Sequence, residues 1–312
     1  MKKLALALLG CVSLSVGAQT IDLQGHRGAR GLLPENTLPG FQKVLEMGVT
    51  TLELDIAITK DGVPVIYHDQ TLNPDITRDA SGTFLEQRGP ALHSLTWAQL
   101  QAYDVGRLKP GTDYARNYPD QQPLDGTKIP RLSDLFDLVK RSGNDRVRFA
   151  IETKLHPERP DETPAPEPFA RTVVDEIRKA GMASRSQILS FDWRTLQVVQ
   201  KIAPEIDTVY LTSRRTVAPE AGARWTAGFD RRQYGSIPKT IKAAGGKLWS
   251  VNFNDIDAQG VKEAQALGLK VLVWTVNDPL VMERMLDMGI DGLITDRPDL
   301  AIPILKRRGI RW

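Results

Sequence analysis

Cysteine is almost absent from this chain of 312 residues, which contains only Cys11. Cys11 lies within an apolar stretch, Leu4 to Val16, that follows two lysines and ends at the small residues Gly17 and Ala18. This arrangement is typical of a secretory signal peptide. We therefore expect residues 1–18 to be removed, which would leave a periplasmic or secreted protein without thiols or disulfides. Such a protein must be stabilised by a buried apolar core.

A lipoprotein signal is the alternative for the same stretch. Leu8-Leu9-Gly10 precede Cys11, so Cys11 could become the acylated first residue of the mature chain. The apolar run continues beyond Cys11 to Val16, however, and this continuation favours an ordinary signal peptide.

Long hydrophobic runs, an excess of one charge and low-complexity tracts are absent as well. No segment reaches the length of a transmembrane helix. Lys2 and Lys3 account for two of the 41 basic residues, so a mature chain would carry 39 basic against 38 acidic residues, with the two signs interspersed. This balance argues against nucleic acid as a partner. The composition indicates a globular enzyme, with residues 19–312 forming one domain.

Eight apolar, strand-like runs alternate with helical patterns along the chain. The runs lie near 21–25, 50–55, 147–151, 187–190, 207–211, 247–251, 270–275 and 291–295. Helix starts are indicated by Pro34 and by Asp278-Pro279. Glycines that would end helices lie at Gly48, Gly181, Gly268 and Gly289. This α/β alternation predicts a (β/α)₈ TIM barrel, and a doubly wound open sheet is the alternative.

A ninth strand-like run, Val63 to Tyr67, interrupts this alternation. Only Asp61-Gly62 separate it from an extension of the second strand, which predicts a β-hairpin with a two-residue turn. In that register Asp55 pairs with His68, so the hairpin would place an imidazole beside a carboxylate.

The inserted segment that follows the hairpin spans about residues 70–128. It is rich in glycine, proline and polar residues, and a helix is expected near Leu95 to Tyr103. The segment is expected to be either a structural flap or a lid over the carboxyl ends of the strands, where barrel enzymes carry their sites.

Three carboxylates are predicted to converge at those strand ends. Glu53 and Asp55 are two residues apart on one strand and project from the same face, and Glu152 ends the next barrel strand. Like charges so close repel each other unless a cation lies between them. Oxygen ligands without sulfur favour Ca²⁺ or Mg²⁺, with Ca²⁺ preferred, over structural zinc. Salt-bridged rim residues are the alternative.

Two of the four histidines stand beside these carboxylates. His26 and His68 both follow strands, and such a pair can act as general acid and general base. The other two, His93 and His156, are expected to be structural.

Two cations accompany the same clusters. Arg27 could bind two phosphate oxygens at once through its guanidinium, and Lys154 could bind one as a point charge. The alternative is that both are counter-ions to neighbouring glutamates, and both roles can hold at once. Acids, imidazoles and cations at one sheet edge indicate metal-assisted cleavage of a phosphodiester.

Ten short motifs carry a family resemblance. They are His26-Arg27-Gly28, Pro34-Glu35-Asn36-Thr37, Glu53-Leu54-Asp55, Thr59-Lys60-Asp61-Gly62, His68-Asp69, Ile129-Pro130-Arg131-Leu132, Glu152-Thr153-Lys154, Ser190-Phe191, Trp274-Thr275-Val276-Asn277 and Thr295-Asp296-Arg297-Pro298. In type and order these motifs resemble the glycerophosphodiester phosphodiesterase family. The resemblance implies a TIM-type barrel, one divalent cation, and hydrolysis of small-molecule glycerophosphodiesters to glycerol 3-phosphate and an alcohol.

The resemblance also implies a role for each site residue. It makes His26 and His68 the acid and base. It makes the metal ligands Glu53, Asp55 and Glu152, the phosphate contacts Arg27 and Lys154, and the glycerol-side residues Phe191 and Trp274. It suggests that the glycerol 2-hydroxyl attacks phosphorus to give a cyclic phosphate, with direct attack by water as the alternative.

Three functions are compatible with these residues. The first is hydrolysis of deacylated phospholipids such as glycerophosphocholine or glycerophosphoethanolamine. The second is a lysophospholipase D, which would need an apolar groove, for which the candidates are Leu85, Trp97, Trp225 and Phe229. The third is a barrel that binds without turnover, which the complete set of acids and histidines disfavours.

Overall fold

The structure, a computed structural model, describes residues 19–221 and 223–312. The predicted signal peptide, with Cys11, lies outside the described residues. The strands are β1 (Asp22–Gly25), β2 (Thr51–Ile58), β3 (Pro64–Ile66), β4 (Arg148–Thr153), β5 (Ser186–Ser190), β6 (Asp207–Thr212), β7 (Leu248–Asn252), β8 (Lys270–Trp274) and β9 (Gly292–Thr295). The α-helices are α1 (Leu38–Met47), α2 (Trp97–Leu100), α3 (Asp113–Asn117), α4 (Leu132–Arg141), α5 (Pro166–Lys179), α6 (Trp193–Ile202), α7 (Arg214–Val217), α8 (Arg231–Tyr234), α9 (Ile237–Ala243), α10 (Ala258–Ala266), α11 (Pro279–Asp287) and α12 (Pro298–Arg307). Among the helices of these two ranges, none is both long and apolar enough to cross a membrane.

Eight strands close into a parallel ring. Their order is β1-β9-β8-β7-β6-β5-β4-β2, and pairing of β1 with β2 closes it. Strand β3 pairs antiparallel with β2 and lies outside the ring. The (β/α)₈ prediction is therefore confirmed, together with all eight predicted barrel strands, and the open-sheet alternative is wrong.

Side-chain alternation along the strands separates the helix layer from the barrel interior. On β2, Leu52, Leu54 and Ile56 are fully buried in the large core that the helices share. Glu53 and Asp55 alternate with them and therefore face the interior. Each fully buried leucine or isoleucine side chain stabilises the fold by about 1.5–3 kcal/mol, so the apolar layer can offset the unfavourable burial of the acids.

The hairpin of β2 and β3 differs in register from the predicted one. Ile56 pairs with Ile66. Asp55 therefore lies opposite Tyr67, whose amide donates to the Asp55 carbonyl at 2.9 Å. The predicted pairing of Asp55 with His68 is wrong by one residue.

The length of the turn explains this shift. The Thr59 amide donates to the Val63 carbonyl at 3.1 Å, so the loop contains Lys60, Asp61 and Gly62 rather than two residues. Gly62 has φ 79°, in the left-handed region that a three-residue hairpin loop requires at its last position.

The inserted segment has a small core of its own. It consists of Leu72, Ile76, Leu92, Leu100, Val105 and Ile129, packed on the hairpin residues Ala57, Val65 and Tyr67. The helix expected near Leu95 to Tyr103 is the shorter α2, which Thr96 caps at its start. The segment also contains α3, which the sequence did not predict and which reaches the barrel mouth.

The two ends of the described chain meet at the base of the barrel, by the amino ends of the strands. The Arg311 amide donates to the Gln19 carbonyl at 2.9 Å, and the Ile21 amide donates to the Arg311 carbonyl at 2.8 Å. Trp312 Nε1 donates to the Gly48 carbonyl at 2.9 Å. This base is opposite the strand ends that carry the predicted site.

Candidate active site

A cavity of about 240 Å³ opens at the carboxyl ends of the barrel strands. Eight of the nine predicted site residues line it: His26, Arg27, Glu53, His68, Glu152, Lys154, Phe191 and Trp274. The ninth, Asp55, is buried beside Glu53 and Glu152. The structure thus brings together side chains that are far apart in sequence.

The three predicted metal ligands form one buried carboxylate cluster. One oxygen each of Glu53, Asp55 and Glu152 lies within 4.8 Å of the others. Glu53 Oε2 accepts a hydrogen bond from the Arg27 amide at 2.9 Å. Asp55 Oδ2 accepts one from Asn36 Nδ2, also at 2.9 Å. The Arg27 amide and Asn36 thus each fix the orientation of one carboxylate of the cluster.

Burial and repulsion make charge on this cluster unfavourable. Burial, followed by the charges of Asp55 and Glu152, raises the pKa of Glu53 well above its usual range. Burial also raises the pKa of Glu152. For Asp55, burial acts in the same direction, but the neighbouring cationic groups, first His68, outweigh it and lower its pKa. A divalent cation would relieve this repulsion, and buried oxygen donors without sulfur fit Ca²⁺ or Mg²⁺.

Two cations flank the carboxylate cluster. Lys154 Nζ lies 2.7 Å from Glu152 Oε1 and 3.5 Å from Asp55 Oδ1. Arg27 Nε lies 3.3 Å from Asp55 Oδ2, and its Nη1 donates to Glu35 Oε1 at 2.9 Å. Both cations are therefore counter-ions to the acids. Both also line the cavity.

The loop between β1 and α1 contributes more to the site than the sequence indicated. The predicted helix start at Pro34 is wrong, because α1 begins at Leu38 with Thr37 as its N-cap. The non-helical backbone allows Glu35 and Asn36 to turn toward the carboxylate cluster and its arginine.

His26 is held by a buried carboxylate, Asp296. His26 Nδ1 and Asp296 Oδ1 are 2.7 Å apart. Asp296 also accepts hydrogen bonds from Arg30 at 2.8 and 3.0 Å and from Asn277 Nδ2 at 2.7 Å. Burial disfavours charge on Asp296, but Arg30 and His26 outweigh it and lower the pKa of Asp296.

His26 is consequently a neutral imidazole with a defined tautomer. Burial lowers the pKa of His26 to about 4, although Asp296 acts in the opposite direction. Two groups approach Nδ1 of His26: Asp296 Oδ1 at 2.7 Å, which can only accept when ionised, and Arg30 Nη2 at 3.1 Å, which can only donate. We assign the proton to Nδ1 on the shorter contact, which leaves the lone pair on Nε2. In this form Nε2 can accept a hydrogen bond from a group in the cavity.

His68 is held in a similar way by its neighbour, Asp69. His68 Nδ1 and Asp69 Oδ1 are 2.7 Å apart, and Asp69 Oδ2 accepts from Asn73 Nδ2 at 2.8 Å. His68 lies in a bend beyond the end of β3, so it reaches the cavity from that bend rather than by strand pairing. Its side chain is 29% exposed, against 11% for His26.

Asp296→Asn is expected to lower kcat by about 10²- to 10⁴-fold, because an amide no longer fixes the tautomer of His26. KM should change little, and the pH dependence of kcat should shift, which an effect on folding alone would not produce. Steady-state kinetics across pH, with thermal unfolding as the check on folding, would measure both.

Asp299→Asn is the matched control, since Asp299, in the first turn of α12, forms an ion pair within the described residues only with Arg297. Near-normal turnover by Asp296→Asn would show that Asp296 does not act through His26.

An aromatic wall completes the cavity. Phe191 and Trp274 meet edge to face with centroids 5.5 Å apart. Within residues 19–221 and 223–312, the buried Nε1 of Trp274 has no hydrogen-bond partner. It is therefore a donor available to an oxygen of a bound ligand.

Several residues of the site had no role in the sequence-based prediction. Among them are Arg30, Asn36, Tyr114, Asn277 and Asp296. Asp296 and Asn277 follow barrel strands, as Lys154 does, so their position was a usable signal. Tyr114 comes from α3 in the inserted segment, where it donates to Glu35 and accepts from Arg30 Nη1 at 3.2 Å.

The closed barrel and the groups at its mouth define the class of protein. An acid cluster suited to a cation, two histidines held by carboxylates and two cations share one cavity. This combination is that of a (β/α)₈-barrel phosphodiester hydrolase.

The chain belongs to the glycerophosphoryl diester phosphodiesterase family, whose model matches residues 26–300. A glycerophosphodiester phosphodiesterase of Caldanaerobacter subterraneus is 28% identical over 288 residues, which cover 91% of this chain and 97% of that protein. One from Bacillus subtilis is 27% identical over 286 residues, with 90% and 85% coverage.

Solved structures share the fold. A Silicibacter pomeroyi protein named for the same activity superposes with a TM-score of 0.86 at 37% identity, covering 94% of this chain and 96% of that one. An Oleispira antarctica phosphodiesterase, solved in complex with the product sn-glycerol-3-phosphate, has a TM-score of 0.63 at 20% identity, with 89% and 94% coverage.

Proposed function

We propose that this protein hydrolyses glycerophosphodiesters to glycerol 3-phosphate and an alcohol with the help of one divalent cation. The observation that carries the proposal is that His26 and His68, each bound through Nδ1 to a carboxylate, line the same cavity as the acid cluster. The product bound to the Oleispira antarctica relative supports the choice of substrate class.

His26 is assigned as the base and His68 as the acid. Nε2 of the neutral His26 takes the proton of the glycerol 2-hydroxyl as that oxygen attacks phosphorus. His68, the more exposed of the two, gives a proton to the departing alcohol. Water then opens the cyclic phosphate: His68 accepts the proton of water, and His26 returns its proton to the 2-oxygen.

The acid cluster would hold the cation. Glu53, Asp55 and Glu152 supply the ligands, and Ca²⁺ is favoured over Mg²⁺ because a cluster of carboxylates alone suits its larger, more flexible shell. When bound, the cation polarises a phosphoryl oxygen and balances charge. Arg27 and Lys154 orient the phosphate, while Phe191 and Trp274 pack against the glycerol carbons.

Glycerol 3-phosphate is expected to be released from glycerophosphoethanolamine and related diesters by the purified protein. The measurement is release of ethanolamine, which cleavage of either the diester or its matched control, a 2-deoxyglycerol analogue, would produce; glycerol 3-phosphate is assayed in parallel for the diester. The analogue should not be cleaved, because it lacks the attacking hydroxyl. Normal turnover of the analogue would contradict the cyclic route and favour direct attack by water.

Lysophosphatidylcholine is the comparison substrate for the lysophospholipase D alternative. The four apolar residues predicted for its groove are not assembled. Trp225 lines a cavity next to the site, but Leu85 and Trp97 pack against the core of the inserted segment and Phe229 packs against the main core. We therefore expect the diesters to be preferred. Cleavage of lysophosphatidylcholine alone would reverse this assignment.

Residues 1–18 are proposed to direct the protein to the periplasm or the exterior and to be removed near Ala18. Residues 19–312 would then be the mature single-domain enzyme. The N-terminal sequence of the exported protein tests both statements.

A further inference from the structure

A second cavity, of about 330 Å³, adjoins the catalytic cavity on its outer side. His68, Glu152, Lys154, Phe191 and Trp274 line both cavities, so a molecule bound at the catalytic groups can extend into the outer one. The outer cavity is also lined by the loops after β4 and β6. The apolar floor of the inner cavity suits the glycerol part that all substrates share, which leaves the outer cavity for the alcohol that varies.

Two arginines and a histidine dominate the outer wall. Arg159 and His156 come from the loop after β4, and Arg215 comes from α7. Among carboxylates of the described residues, none forms an ion pair with Arg215, whereas its neighbour Arg214 pairs with Asp255 at 2.7 Å. Arg215 is thus a cation without a partner at the edge of the cavity.

Arg159 also carries charge that its partner does not balance. Its Nη1 lies 3.3 Å from Glu162, but Arg88 shares the same carboxylate at 2.9 Å. Two guanidinium groups therefore face one acid. The Nε of Arg159 is buried and, in the part of the chain that the structure describes, has no hydrogen-bond partner.

His156 adds a neutral donor to this wall. The Glu158 amide donates to His156 Nδ1 at 3.2 Å, so the ring proton lies on Nε2. The ring packs edge to face on Trp225 with centroids 4.6 Å apart. This contact fixes the imidazole in the wall.

Acidic side chains do not balance these cations inside the cavity. Of the described residues that line it, the acids are Asp69 and Glu152. Asp69 is bound to His68, and Glu152 is bound to Lys154 and belongs to the proposed metal site. Three aromatic rings also line the cavity, but Trp225 packs on His156, and Phe191 packs on Trp274. A quaternary ammonium at these rings would be repelled by the arginines.

We propose that the outer cavity receives the leaving alcohol and selects alcohols that carry an anionic group, a carboxylate or a phosphate. This inference rests on the proposed hydrolysis of glycerophosphodiesters and specifies its substrates. Arg159 and Arg215 supply the charge-assisted hydrogen bonds that the anionic group needs. These two arginines are specificity-determining residues.

Glycerophosphoserine and glycerophosphoethanolamine form the matched substrate pair, because they differ by one carboxylate. We expect kcat/KM to be at least about tenfold higher for the serine ester. Glycerophosphoinositol with and without a phosphate on the ring is the second pair, and it shows whether phosphate is selected as well as carboxylate. Equal or higher kcat/KM for the member without the anion, in both pairs, would overturn the proposal.

Arg215→Gln tests the wall directly. It should bring the ratio for each pair close to one by lowering kcat/KM for the member that carries the anionic group. Arg159→Gln should act in the same direction. Arg214→Gln is the control. Arg214 is adjacent to Arg215 but already pairs with Asp255, so its replacement should leave the ratio of kcat/KM values intact. An equal loss for both substrates in Arg215→Gln would place glycerol, not the alcohol, in the outer cavity and would contradict the proposal.

Binding separates this inference from the proposed hydrolysis. O-phosphoserine and O-phosphoethanolamine retain the phosphate and the alcohol but cannot be cleaved as diesters. Calorimetry should show tighter binding of O-phosphoserine, and Arg215→Gln should remove the difference. If O-phosphoserine binds more tightly but no diester is cleaved, the proposed hydrolysis is wrong and the anion selectivity of the outer cavity stands. If the two ligands bind equally, the proposed anion selectivity is wrong.

Discussion

His26→Asn is expected to lower kcat by about 10²- to 10⁴-fold, because asparagine can still donate to Asp296 but cannot take a proton from a substrate hydroxyl. His68→Asn should cause a loss of similar size through the opposite step, donation to the leaving alcohol. KM should change much less than kcat in both variants, since neither histidine is assigned to ground-state binding. The measurement is steady-state release of glycerol 3-phosphate.

The histidine in the inserted segment provides a matched control. His93→Asn makes the same chemical change outside the catalytic cavity and should leave kcat unaltered. Because His26 and His68 are proposed to act as base and acid in the same step, the double variant should be little worse than either single variant. Substantial activity in either single variant, or fully multiplicative losses in the double variant, would contradict the assignment.

Removal of divalent cations is expected to abolish turnover, and addition of Ca²⁺ or Mg²⁺ should restore it. The same ions should raise the thermal unfolding temperature, because a cation offsets the repulsion among Glu53, Asp55 and Glu152. At a free ion concentration 100 times the dissociation constant, this stabilisation is about 2.7 kcal/mol. Differential scanning calorimetry at several ion concentrations measures it without any substrate.

Glu53→Gln should remove both the activity and the cation-dependent rise in unfolding temperature. Glutamine keeps the volume of the side chain and can still accept from the Arg27 amide. Glu167→Gln, on the exposed surface of α5 where Glu167 pairs with Arg171, is the control and should keep both properties. A full thermal shift in Glu53→Gln would remove Glu53 from the metal site.

The barrel and the acid cluster were predictable because they follow from short-range rules. Apolar runs separated by helical patterns determine the strands, and the two-residue period of a strand places Glu53 and Asp55 on one face. The predicted helix ends at Gly48 and Gly289 are confirmed, because both glycines have left-handed backbone angles, with φ of 77° and 76°. Each of these signals lies within a few residues of the feature that it predicts.

The features that were missed depend on contacts between distant segments or on loop conformation. The position of His68 depends on a turn that can hold two or three residues, and a difference of one shifts the whole register. Tyr114 lies in a segment without periodicity, so no sequence pattern connected it to Glu35. Asp296 and His26 follow the last and the first barrel strands, so their contact could be predicted only if the sheet was known to close through pairing of these two strands.

The meeting of Gln19 and Arg311 at the base gives the enzyme a property that its linear sequence does not suggest. A short peptide could join the two segments, and the chain could be opened instead at an exposed connection between two barrel units. Such a circularly permuted enzyme would present the same eight strands in a different order of synthesis, with its catalytic mouth intact.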